Sequence, residues 1–87
     1  MTEIDRGHAT IEEDYGKDWV NDIDIDKLDM SSITDDLLGQ LYGSYDSGLE
    51  ILRIRYPMRY GYHALDLEKL KKQQIIAINK IRGGGYD

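Results

Sequence analysis

The sequence predicts a small all-α domain, and three observations carry that reading. Apolar residues recur at helical spacing between Met30 and Leu52, and the stretch from Leu67 to Arg82 holds neither Gly nor Pro. The third is the combination of 87 residues with no cysteine, which leaves the fold to rest on its own core or on a partner. A chain of this size buries roughly 60–65% of its unfolded surface, so the margin is thin.

In chain order, residues 1–9 have low hydrophobicity and read as a loose arm. Thr10-Ile11-Glu12-Glu13 fits a capping box, which predicts a short helix over 11–15 stopped at Gly16. Residues 1–22 are thus expected to form an extended acidic arm, and residues 23–87 the helical domain. Trp19, Val20, Ile23, Ile25, Leu28 and Met30 continue the apolar supply. The alternation Asp22-Ile23-Asp24-Ile25-Asp26 has period two and predicts a short strand near 22–26, with the isoleucines inward and the aspartates in water. Aspartates at alternate positions also open a calcium loop, but that loop requires Gly at its sixth place and Glu at its twelfth. Counting from Asp22, Lys27 and Ile33 stand there, so no metal site of this type is expected.

Ser31 through Asp36 offers several N-caps to the central run. At about 100° per residue, Ile33, Leu37, Leu38, Leu41, Tyr45, Leu49 and Leu52 fall on one face, to be buried by one helix or two. Gly39 and Gly43 point to the other side. Two readings stand for them: close approach of another backbone, or a break at Gly43 with Ser44 capping a second helix through Leu52. Residues 53–63 interleave Arg53, Arg55 and Arg59 with Tyr56, Tyr60 and Tyr62 around Pro57, which forbids a regular helix. A connection or a short strand over 51–56 follows. The last helix begins at an Asp66 cap and ends at Gly83-Gly84-Gly85. Leu67, Leu70, Gln74, Ala77, Ile78 and Ile81 form its buried stripe, with Ile75 on the edge. Gln74, in mid-stripe, must bond a backbone group or a symmetry mate. Ile76, opposite the stripe, suggests a homodimer or partner contact along this helix.

Two stretches are familiar in combination: Ile25-Asp26-Lys27-Leu28-Asp29-Met30-Ser31-Ser32, and Leu38-Gly39-Gln40-Leu41-Tyr42-Gly43-Ser44-Tyr45, followed by Tyr60-Gly61-Tyr62. In residues 23–63 the chain resembles a family of small, unannotated proteins of actinobacterial viruses (actinobacteriophages). The Leu-Gly-Gln-Leu-Tyr-Gly core is the most specific part. In the family a cysteine is common where Asp36 stands here and Phe is usual where Tyr62 stands, and the linker Ile54 to Arg59 also departs from the pattern. The resemblance implies a viral origin and transfers no activity or site.

Charge is divided unevenly along the chain. Residues 1–50 carry a net −11 and residues 51–87 a net +5, which together give the formal −6. Two consequences stand open: the acidic half docks on the basic half, or the acidic face is offered to a basic groove on another protein. The Arg/Tyr linker has the side chains that stack on bases and brace phosphates, but the negative net charge disfavours nucleic acid. His8 and His63 lie far apart in the chain with no nucleophile or phosphate-loop pattern beside them.

No enzyme, cofactor or membrane span is therefore expected. The sequence points to a small acidic phage protein that binds and inhibits or redirects a host protein in the host cytoplasm; the alternative is a structural or accessory component of the virion. Asp22, Asp24 and Asp26 would steer association, and Trp19, Tyr56, Arg59, Tyr60, Gly39, Gly43 and Ile76 would line the contact.

Overall fold

The computed structural model describes residues 2–83. Its order is α1 (Glu3–Tyr15), a 3-10 turn η1 (Lys17–Asp22), α2 (Leu37–Tyr42), α3 (Tyr45–Leu52), a second 3-10 turn η2 (Pro57–Tyr60) and α4 (Leu67–Gly83). The all-α expectation holds, and no strand occurs among the described residues.

The acidic arm is the largest correction. Residues 3–15 form one continuous helix, capped by Thr2, whose hydroxyl accepts from the Asp5 amide at 3.1 Å. Thr10 is no cap; its hydroxyl donates to the Arg6 carbonyl one turn back. The helix arises because Ile4, Gly7, His8 and Ile11 share one face at three- and four-residue spacing, and that face packs against η1 and η2. Isolated propensity is weak here, and tertiary burial decides it. The helix does end at Gly16, which sits at φ 114°.

Neither strand forms. Residues 22–26 leave η1 and enter a turn, while Ile51 and Leu52 finish α3. The inside-outside alternation nevertheless survives: Ile23 is buried, Ile25 half-buried, and Asp22, Asp24 and Asp26 face water. A turn closed by an aspartate side chain can place alternate residues on opposite sides without a partner strand. Asp24 Oδ1 accepts from the Asp26 and Lys27 amides to do this.

The central run breaks at Gly43, φ 93°, and Ser44 caps α3 by accepting from the Ser47 amide at 3.0 Å. Of the candidate caps before α2, Asp36 is the one used. Leu37 and Leu38 are fully buried, and Leu41, Tyr45, Leu49 and Leu52 pack half-buried beside them. Ile33 departs from that face at 65% exposure, because it precedes the helix and belongs to the loop. In α4, Leu70, Gln74 and Ile78 are buried as expected, whereas Ile81 is exposed near the end of the helix.

One core joins all of this. Ile11 from α1, Trp19 and Val20 from η1, Ile23, Leu28 and Met30 from the following loop, Leu37 and Leu38, Tyr62, Leu70 and Ile78 form a single cluster. Arg82 fastens α4 to η1: its Nε donates to the Val20 carbonyl at 2.9 Å and its guanidinium also reaches the Ile23 carbonyl. Arg6 likewise ends on the Arg59 carbonyl at 2.7 Å. Both of these tethers between the acidic and basic halves close on backbone oxygen.

Candidate functional site

The surface chemistry gathers at the turn after η1, and Gln40 fixes it. Projecting from α2, its amide oxygen accepts from the Asp24 N–H at 2.6 Å, while its Nε2 donates to the Asp24 carbonyl at 3.1 Å and the Asp35 carbonyl at 3.0 Å. One side chain thus ties two loops by their backbones. Asp22, Asp24 and Asp35, together with Lys27, Thr34 and Gln40, line a shallow depression there. Asp22 is held from outside as well, accepting from the Tyr15 hydroxyl at 2.7 Å. Tyr15 in turn lies edge-on to Tyr42, whose hydroxyl donates to Asp14 at 3.0 Å. The outcome is a braced turn on which the Asp22 carboxylate is held by Tyr15 and the Asp24 carboxylate by the Asp26 and Lys27 amides. Among the described residues no group of three or more His, Cys, Asp or Glu is arranged to hold a metal ion.

The Arg/Tyr linker forms a separate knuckle. Tyr56 is exposed, and the Arg59 guanidinium sits 4.9 Å from its ring centre. Tyr60 is half-buried and stacks on Tyr62 with ring centres 5.9 Å apart. Tyr62 belongs to the core and donates its hydroxyl to the Gly7 carbonyl at 2.7 Å. The knuckle therefore offers Tyr56 and Arg59 outward and uses the other two rings for packing.

Other expected contact residues lie elsewhere. Trp19, 1% exposed, is a core residue and is no surface anchor: its ring meets His8 edge-on at 4.8 Å. Gly39 is buried, and a Cβ there would stand 2.5 Å from the Thr34 carbonyl carbon. The close backbone is the chain's own loop. Gly43 has open space around it and serves only its positive φ. Close approach between elements falls instead on Gly7, where a Cβ would lie 1.8 Å from the Tyr60 carbonyl oxygen, and on Gly48, against Leu38. Ile76 is exposed on the far side of α4.

Two buried polar groups depart from their ordinary titration. His8, placed by the sequence in a loose arm, shares a 2.6 Å hydrogen bond with Gln74 Oε1, and Gln74 Nε2 donates to the Gly61 carbonyl at 2.9 Å. Gln74 thereby meets its need for backbone and side-chain partners inside the chain. Burial lowers the His8 pKa, against a smaller opposing effect of that hydrogen bond. Asp36, the α2 cap, accepts from the Gly39 amide at 2.7 Å and is pushed up to about 7 by burial, the amide opposing. Nothing in the local sequence marks His8; only its i, i+3 relation to Ile11 could have placed it on the buried face.

No helix among the described residues is long and apolar enough to cross a membrane. Compared with models of protein families, with curated proteins and with solved structures, the chain matches none.

Proposed function

We propose that the chain is a non-enzymatic viral protein that binds a host protein stoichiometrically and blocks or redirects it, presenting the braced acidic turn to a basic surface. The observation that supports this reading is Gln40. A side chain spent on holding Asp24 and Asp35 by their backbones makes the carboxylates around them a fixed pattern. Charges held in place steer association and select a partner with less ordering cost than charges on a loose arm. Tyr56 and Arg59 add an exposed planar pair of the kind that anchors protein contacts.

The test is affinity capture from lysate of the host, read by mass spectrometry, with wild-type protein and with a variant carrying Asp22→Lys, Asp24→Asn and Asp26→Lys. Asn at 24 keeps an oxygen for the turn. The reading expects a host protein that is captured by wild type, lost at raised salt and lost with the variant. Capture that the variant leaves unchanged overturns the acidic-turn reading. Recovery of the chain only in purified virus particles overturns the host-directed one in favour of a particle component.

A further inference from the structure

We propose that this chain also associates with copies of itself head to tail, the outward face of α4 on one copy lying along the outward face of α1 on the next. The two helices are linked inside one molecule by the His8–Gln74 hydrogen bond, and each turns the residues away from that bond to solvent. Those faces carry opposite charge at matching spacing. On α4 the outward stripe is Lys69, Lys72, Ile76 and Lys80, all exposed, with Glu68 at its N-terminal edge as the helix's one acidic residue. On α1 it is Asp5, Ala9, Glu12 and Glu13, also exposed.

Shape follows the same register. Ile76, 69% exposed, has Lys72 one turn before it and Lys80 one turn after. Ala9 has Asp5 and Glu13 at the same offsets. Laid together, a large apolar side chain faces a small one, and two lysines face two carboxylates. The one cation on the α1 face, Arg6, already has its guanidinium turned to the Arg59 carbonyl. A symmetric pairing of α4 with α4, the dimer that Ile76 alone would suggest, fails on charge. Antiparallel helices crossing at Ile76 set Lys72 of each copy against Lys80 of the other.

Because the α4 face differs from the α1 face that receives it, each copy keeps one free face after a single head-to-tail pairing. Such a contact does not close as a twofold and grows into open chains or rings. The contact of two short helices is small, so the association is weak and needs high protein concentration to show.

The experiment is sedimentation equilibrium up to millimolar protein on the wild type and two charge variants, each checked for helical content by circular dichroism. Lys69, Lys72 and Lys80→Glu makes both faces acidic; Asp5, Glu12 and Glu13→Lys makes the α1 face basic like α4. Wild type should self-associate beyond dimer, each variant alone should be weaker by about tenfold or more, and an equimolar mixture should regain association. Ile76→Lys, at a site too exposed to disturb the core, should also weaken it. A wild type that stays monomeric, one that stops at dimer, or a mixture no stronger than its parts overturns the proposal.

Discussion

Replacing Asp36 by Asn should change how stability depends on pH, and the direction can be worked from the cap itself. Asp36 is 1% exposed, and its carboxyl is raised from an ordinary 3.8 to about 7. Its folded pKa therefore lies above its unfolded one, so between these values the native state binds more protons than the unfolded chain. Stability from this group is fully present below its unfolded value of 3.8 and is lost as pH rises from there through 7. A full shift of that size would correspond to about 4 kcal/mol at 1.36 kcal/mol per unit. That shift already includes the opposing bond from the Gly39 amide at 2.7 Å, and because charges inside proteins are screened more than a dry interior would allow, about 1–3 kcal/mol is the expectation.

Asn retains an oxygen for the Gly39 amide and ranks with Asp as an N-cap, so Asp36→Asn should keep α2. It has no charge to bury. Urea unfolding of both proteins at pH 4.5, 6, 7.5 and 8.5 then reads the difference. The variant should gain on wild type by about 1–3 kcal/mol between the lowest and highest pH. His8 is present in both proteins, so its own titration cancels. A fixed offset would reflect only the fit of the new amide. A difference that does not change with pH, or that moves in favour of wild type as pH rises, refutes the reasoning.

Further outcomes follow from particular contacts. Gly7→Ala should cost about 2–3 kcal/mol or more in the same assay, since the new methyl meets the Tyr60 carbonyl and η2 must move; a change under 0.5 kcal/mol would show that η2 is not seated there. Tyr62→Phe should cost about 1 kcal/mol, the value of one buried hydroxyl-to-carbonyl bond, with circular dichroism unchanged. Gln40→Ala should raise amide hydrogen exchange through residues 23–27 while leaving α4 protected, and equal protection would remove Gln40 as the brace. His8 has a lowered folded pKa, so its contribution is complete above its unfolded value of 6.5 and declines as pH falls below it. His8→Gln should flatten that acid-side loss, which stability curves of the two proteins would compare.

What the sequence made legible is what local rules decide. The break at Gly43, the Ser44 cap, the Asp66 cap and the stripe of α4 depend on residues within a turn of one another, and each stands where expected apart from Ile81 at the end of the stripe. The first half of α1 was illegible because its hydrophilic composition argues for an arm, and only contacts with η2 more than fifty residues away turn it into a helix. Those contacts, Arg6 to Arg59 and Tyr62 to Gly7, involve ordinary residues that no local pattern singles out. The strand at 22–26 failed for another reason: alternation reports which residues are buried, and a turn closed by Asp24 and Gln40 satisfies the same alternation without a ladder. Trp19 was misplaced as an anchor because a tryptophan in an acidic segment reads as exposed, whereas η1 folds that segment onto the core.

The same distinction gives Leu38-Gly39-Gln40-Leu41-Tyr42-Gly43 a physical meaning. Leu38 and Leu41 pack inward, and Gly39 admits the Thr34 backbone at a distance no side chain would allow. That approach brings the 32–36 loop, and with it the Asp35 carbonyl, within reach of Gln40, which then holds Asp24 from the other side. Tyr42 takes Asp14 of α1, and Gly43 turns the chain into α3. A substitution at Gly39 is therefore expected to act at a distance: a Cβ there would meet the Thr34 backbone and the Asp36 carboxylate, and a shift of the 32–36 loop to relieve it would carry Asp35 away from the Gln40 amide and free the acidic turn. Under the proposed function, Gly39→Ala should accordingly weaken capture of a basic partner together with hydrogen-exchange protection at residues 23–27. If binding falls while that protection stays intact, the carboxylates do not depend on the brace.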